Sequence, residues 1–242
     1  MPRVSKLSHL FSLSIVLAVV TAFSVGCGSS SSSSSGTKIR FVNASPDQVT
    51  MNVLIDGTSA AAALANGGGA TAYLAVAAGA RHIQIQDPAT SINRIDMTLT
   101  INGGTSTTFI LKDFITQTNT PLILTDDNSA PVSGSFKVRA INLAPNLNGG
   151  ADVYVEPSTT TTLSGLVPTL NGLPFPPTTA SSYVINTAGS WEVVFTPTGD
   201  QSQSWGGTAT TFAAGQVDTV LLVEVPNGAT YDYNVVQLTD VK

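Results

Sequence analysis

Apolar and polar residues alternate along much of this chain, and the period is two. Ile95, Met97, Leu99 and Ile101 are separated by Asp96, Thr98 and Thr100, with Asn102 following. Ile83 and Ile85 alternate with His82, Gln84 and Gln86, and Trp191, Val193 and Phe195 stand against Glu192 and Thr196. A period of two puts every apolar side chain of a strand on one face, so each run predicts a strand with one buried side. Asn102-Gly103, Asn171-Gly172 and Asn227-Gly228 read as turns, because both residue types accept positive φ cheaply. Nothing after residue 36 carries a helical period. The run Ala60 to Ala65 predicts at most a turn of helix, ended by Gly67-Gly68-Gly69.

One segment breaks the alternation. Residues Leu10 to Val25 are mostly apolar, follow Arg3 and Lys6, and end in Ser24-Val25-Gly26-Cys27. A basic start, an apolar stretch and small residues at the cut describe a signal peptide, here residues 1–26. The stretch falls short of the roughly 20 residues that span a bilayer. Cys27 is the chain's only cysteine and stands at the cut, which makes the signal resemble that of a bacterial lipoprotein. Cys27 is then the lipidated residue, and Ser29 to Ser35 begin a tether over residues 27–37. An ordinary signal peptide with an incidental cysteine, or an uncleaved anchor, fits the same run less well. Gly28 is not the aspartate that holds enteric lipoproteins at the inner membrane, so the resemblance implies an outer-membrane lipid anchor.

The remainder repeats itself. Lys38-Ile39-Arg40-Phe41-Val42-Asn43-Ala44-Ser45-Pro46-Asp47 aligns with Lys137-Val138-Arg139-Ala140-Ile141-Asn142-Leu143-Ala144-Pro145-Asn146. Asn52 to Asp56 then matches Asp152 to Glu156, Tyr73 and Gly79 match Tyr183 and Gly189, and Leu124-Thr125-Asp126 matches Leu238-Thr239-Asp240. The order is kept, and a period near 100 residues indicates duplicated domains rather than a solenoid of short units. The expected organisation is one repeat at 38–127, a linker at 128–136 and a second repeat at 137–242. Short strands punctuated every ten or so residues predict an all-β fold: two tandem immunoglobulin-like antiparallel β-sandwich domains. The second copy is longer because of an insertion within 157–182, rich in Pro and Thr.

These residues resemble a bacterial envelope family known as domain of unknown function 4397. Its hallmark strand reads Val-Arg-Phe-x-His-Ala-Ser-Pro-Asp, followed by Asp-Val-Tyr-Val-Asp-Gly. Ile39 to Asp47 and Asn52 to Gly57 carry it in one copy, Val138 to Asn146 and Asp152 to Glu156 in the other. The frequent histidine is Asn43 here, and Asn142 in the second copy. The resemblance implies an immunoglobulin-like fold and a secreted or lipid-anchored location, and it implies no reaction.

Composition narrows the chemistry. Cleavage before Cys27 leaves eight basic and 15 acidic side chains. Nucleic-acid affinity depends on clustered Lys and Arg, so no nucleic-acid partner is expected. The mature chain keeps one histidine, His82, and no free thiol once Cys27 is acylated. His82 sits on the polar face beside Ile83 and reads as a solvated strand histidine rather than a general base. No motif places two carboxylates together in a cleft for glycoside hydrolysis, so no enzyme and no cofactor are expected. Asp126, Asp127 and Asn128 gather oxygen ligands where the first repeat ends. Calcium takes six to eight oxygens, so this cluster would need help from a neighbouring loop, and an acidic turn is the plainer reading. Asn43 and Asn142 read as structural amides, Arg40 and Arg139 as surface or salt-bridging residues, and Tyr73 and Tyr183 as sandwich core. Trp205, in Gln-Ser-Trp-Gly-Gly, is the aromatic expected to make exposed ligand contact. The expected role is structural or adhesive, through the membrane anchor and an envelope protein or polysaccharide partner. The alternative is a carbohydrate or small-ligand binding module using Trp205 and the 157–182 loop.

Overall fold

The computed structural model describes residues 36–115 and 120–241. The signal peptide, Cys27 and the serine run lie outside the described residues. Strands β1 (Lys38–Asn43), β2 (Thr50–Ile55), β3 (Thr58–Ala65), β4 (Gly69–Ala70) and β5 (Leu74–Ala75) open the first half. β6 (Gly79–Gln86), β7 (Asn93–Ile101), β8 (Ser106–Leu111) and β9 (Leu122–Asp126) complete it. The second half holds β10 (Ser135–Leu143), β11 (Ala151–Pro157), β12 (Leu170–Leu173), β13 (Val184–Thr187) and β14 (Gly189–Pro197). It continues with β15 (Trp205–Gly206), β16 (Thr210–Phe212), β17 (Val217–Asn227) and β18 (Thr230–Val241).

The described chain is all-β, with sandwich-like pairs of sheets. In the first half β3-β2-β6-β7 forms an outer sheet, and β4-β1-β8-β9, with β5 also on β1, an inner one. The second half repeats the arrangement: β13-β10-β17-β18 is its inner sheet, and β12-β11-β14-β15, with β16 on β14, its outer one. Pairing is antiparallel except for β1 with β8 and β10 with β17, which run parallel. A parallel pair needs a long crossover. Here the outer-sheet strands β2, β3, β6 and β7 lie within the crossover from β1 to β8, and the short strands β4 and β5 return to pair with β1 on the way. The alanine run is not helical but an edge strand, β3, paired with β2 from Thr50↔Ala65 to Ile55↔Thr58 with register shifts on either side of Val53. Pairing to a preformed neighbour overrides the weak local preference of a few alanines for helix.

Three apolar cores stack through this assembly. Ile39, Phe41, Met51, Val53, Ile83, Ile85 and Phe109 fill the first sandwich. Phe136, Val138, Val153, Val193, Phe195, Val220 and Leu222 fill the second, where the rings of Phe136 and Phe212 stack at 4.3 Å. The third lies between the two inner sheets: Val42, Ile110, Leu122 and Leu124 meet Ile141, Leu143, Leu221, Val223 and Leu238. The inner strands are therefore buried on both faces, and β8 is buried at every position. Both halves fall in one compact unit. The tip of the β17–β18 hairpin extends the contact, with Tyr231 set edge-on to Phe114 at 5.5 Å. Gly68 fits beneath it at φ 86°, where a Cβ would stand 2.8 Å from the Val236 side chain.

A charged seam completes this middle layer. Arg40 Nη2 pairs with Asp240 Oδ1 at 2.5 Å, and Arg139 pairs with Asp126. Each arginine thus takes its carboxylate from the other half. The arrangement is reciprocal: Arg40 Nε donates to Thr108 Oγ1 at 2.8 Å and Arg139 Nε to Thr219 Oγ1 at 2.9 Å. Thr108 and Thr219 donate in turn to Asp126 (2.6 Å) and Asp240 (2.7 Å). Tyr73 lies against Lys38 and Arg40, and Tyr183 against Lys137 and Arg139. The two tyrosines are therefore not sandwich core. They roof the seam, and burial pushes the Tyr183 hydroxyl up to about 12.

Candidate functional site

The two outer sheets present equivalent faces with different chemistry. On the first, polar side chains stand open to solvent: His82 Nε2 lies 2.5 Å from Asp96 Oδ1, and Gln84 and Asn93 also donate to Asp96. These exposed side chains bond to one another across the face.

On the second, β11 and β14 pair in register as Tyr154↔Val194 and Glu156↔Glu192. Val153, Val155, Val193 and Phe195 point into the core, so Asp152, Tyr154, Glu156, Glu192 and Val194 point away from it. The 157–182 insertion folds back over these residues. Val155 N donates to Thr169 Oγ1 at 3.1 Å, and Ser158 N to Ser190 O. Gln201 Nε2 donates both to the Tyr154 hydroxyl (2.7 Å) and to Leu166 O (3.0 Å), tying the insertion to the 198–204 loop. Asp152 accepts from Gly172 N (2.7 Å) and Gly199 N (2.9 Å), fixing the far end of both segments. Asn171-Gly172 is therefore not a free turn but part of edge strand β12.

What remains is a groove of about 440 Å³, within the usual size range of small-molecule sites. Glu156, Glu192 and Val194 form its floor. One wall is the run Thr160 to Ser164, and the other is Gln201, Ser204, Gly206 and Gly207. The lining is rich in hydroxyls and contains no lysine or arginine. A shallower hollow of about 350 Å³ lies on the far side of Gln201, over Asp152 and Tyr154. Gly206 is required where β15 meets β14: at φ 92° a Cβ would collide with the carbonyl oxygen of Val193.

Trp205, expected as an exposed contact, does not line this groove. Its neighbours Ser204 and Gly206 do, and alternation along β15 turns the indole the other way. It is half-buried against the second core, with its ring 4.4 Å from Tyr233. Asp126 and Asp127 are adjacent in sequence but have separate partners, and the Asn128 side-chain amide makes no hydrogen bond among the described residues. Asp126 is buried and belongs to the seam, paired with Arg139 and accepting from Thr108 and Tyr73. Asp127 faces Lys137 Nζ at 2.9 Å, and that hydrogen bond holds its carboxyl down to about 2. Among the described residues no three His, Cys, Asp or Glu side chains gather as a metal site. Asn43 Nδ2 donates to Gln48 O and Leu64 O, and Asn142 Nδ2 to Leu173 O, so both amides brace loops. Sequence reasoning missed Glu156 and Glu192 as site residues. Glu156 reads as a strand-end surface acid, and only the folded insertion gives it a wall to face.

Residues 37–154 match the family model of a domain of unknown function, DUF4397. The match takes in the first half together with β10 and most of β11, and supports the resemblance carried by Ile39 to Asp47 and Val138 to Asn146. No curated protein matches the chain. Among solved structures, the chain is similar to CBMbc, a family 26 carbohydrate-binding module from Eubacterium rectale Amy13K in complex with maltoheptaose. Identity is 9%, with 85% of this chain and 98% of that chain covered, and the TM-score is 0.27. A likeness that low carries nothing about ligand or site.

Proposed function

We propose that this chain is a non-enzymatic, lipid-anchored protein of the bacterial cell envelope that works by recognition. Cys27 holds it to the outer membrane, the serine tether sets the folded block off the surface, and the second half binds a polar envelope ligand such as a polysaccharide. The observation carrying this reading is the difference between two equivalent faces. The second half has an insertion pinned by Gln201 and Asp152 into the wall of a groove, where the first half has an open sheet. Threonine and serine hydroxyls with one glutamine amide suit a ligand that both donates and accepts hydrogen bonds. The mature chain, purified in detergent and applied to a glycan array, is expected to bind a defined set of saccharides saturably. Silence across the array would remove the reading.

A scaffolding role through a protein partner has its own support. β7 is a nine-residue edge strand paired on one side only among the described residues, a template for an added strand. In-cell crosslinking with a Cys27→Ala control separates the two. A single dominant partner that vanishes in the control favours scaffolding, and its absence favours the groove.

A further inference from the structure

The floor of the groove carries unbalanced charge, and the equivalent positions of the first half do not. In the first half the residues equivalent to Glu156 and Glu192 are Asp56 and His82. Asp56 is balanced there: Arg81 Nη1 lies 3.0 Å from its carboxylate. In the second half Arg81 is replaced by Trp191, whose indole packs on Phe136 at 5.8 Å, and His82 is replaced by Glu192. Relative to the first half, the second has an apolar residue in place of a cation and an acid in place of a histidine, beneath the walls of the groove. The two glutamates are direct register partners, an arrangement of like charges that opposes sheet pairing. Elsewhere the chain spends its few cations on its acids, pairing Asp87 with Arg94, Asp127 with Lys137, and both seam aspartates with arginine. The groove has no basic lining residue.

We propose that the groove takes a saccharide bearing a free primary amine, its ammonium held between Glu156 and Glu192 and its hydroxyls on Thr162, Ser204 and Gln201. The ligand supplies the cation that Arg81 supplies in the first half. This rests on the recognition reading above and names its ligand class. Two carboxylates facing one ammonium form charge-assisted hydrogen bonds, stronger than the neutral contacts that any sugar would make. They also exclude uronic acids by like-charge repulsion.

The test is titration calorimetry of the full mature chain in detergent with three probes of equal length: glucosamine, N-acetylglucosamine and galacturonate oligomers. The amine oligomer is expected to bind about tenfold or more tightly than the acetylated one, the order that a charged hydrogen bond contributes. Galacturonate is expected not to bind, and salt is expected to weaken the amine complex. Glu156→Gln and Glu192→Gln keep shape and hydrogen bonding, and each is expected to lose most of the preference with an unchanged circular dichroism spectrum. Equal affinity for amine and acetylated oligomers, or full preference in both Gln variants, overturns the proposal while leaving recognition standing. Calcium binding alone, abolished by the same variants, also overturns it. Failure of every glycan on the array removes the recognition reading itself, a separate outcome.

Discussion

Replacing Asp240 with asparagine tests whether the two halves are one cooperative block. The Asp240 side chain is fully buried and its Arg40 partner 3% exposed, so water cannot stand in for the lost charge. Removing one member of a buried pair leaves the other uncompensated, at a cost of about 3–5 kcal/mol. Thr108 still accepts from Arg40 and Thr219 still lies 3.4 Å away, which argues for the lower end of that range. For a fold of this size each kcal/mol lowers Tm by roughly 2–4 °C, so a fall of about 6–12 °C is expected. The assay is thermal and urea unfolding, with amide hydrogen exchange read separately in each half. Because Arg40 sits in the first half and Asp240 in the second, protection is expected to fall in β1 and β8 as well as in β17 and β18. The double variant Arg40→Met with Asp240→Leu is expected to recover most of the loss, since an apolar pair of similar volume often replaces a buried ion pair at little cost. A loss under about 1 kcal/mol, the value of a surface pair, would refute the buried seam. Loss of protection confined to the second half would refute the shared core.

Three further outcomes are expected. Asp218 is wholly buried, with Gln237, Thr239 and Gln216 around it but no hydrogen bond of normal geometry, and burial pushes its carboxyl above the usual range. A raised folded-state value means that the native chain binds this proton more tightly than the unfolded one. Stability from this group is present below about pH 4 and lost as pH rises through the folded value. Asp218→Asn is therefore expected to raise Tm at pH 7 and to leave it unchanged near pH 3; a uniform shift at both pH values would contradict this. Glu192→Gln, by relieving a like-charge cross-strand pair, is expected to stabilise the free protein by about 0.2–1 kcal/mol in urea titration, and destabilisation would show that the carboxylate has a partner within the fold. Gly206→Ala is expected to cost about 1–3 kcal/mol through strain at its positive φ and to weaken ligand binding by displacing a groove wall; unchanged stability would show that β15 can leave β14 freely.

The alternation at Ile95 to Ile101 and at Ile83 and Ile85 made β7 and β6 legible, because each has one wet face and one dry face. Strands buried twice gave a fainter signal. Arg40 and Arg139 read as surface or salt-bridging residues, and they do form salt bridges, but nothing local to an arginine reveals that its counterion lies in the other half of the chain. Tyr73 and Tyr183 were recognisable as equivalent, yet equivalence does not say on which side of the inner sheet a ring falls. The groove was least legible. Its insertion stood out by composition, but Trp205 drew attention as the aromatic, whereas strand alternation hands the groove to Ser204 and Gly206. Glu156 and Glu192 lie 36 residues apart, and only the β11–β14 register makes them neighbours.

Recognition through the second-half groove is tested most directly by comparing two tryptophan substitutions on one glycan array. Ser204→Trp fills the groove, while Gln84→Trp alters the equivalent open face of the first half. Wild type and Gln84→Trp are expected to bind the same saccharides, and Ser204→Trp to lose them with its melting temperature intact. Binding that survives in Ser204→Trp, or disappears in Gln84→Trp, would place recognition elsewhere on the molecule.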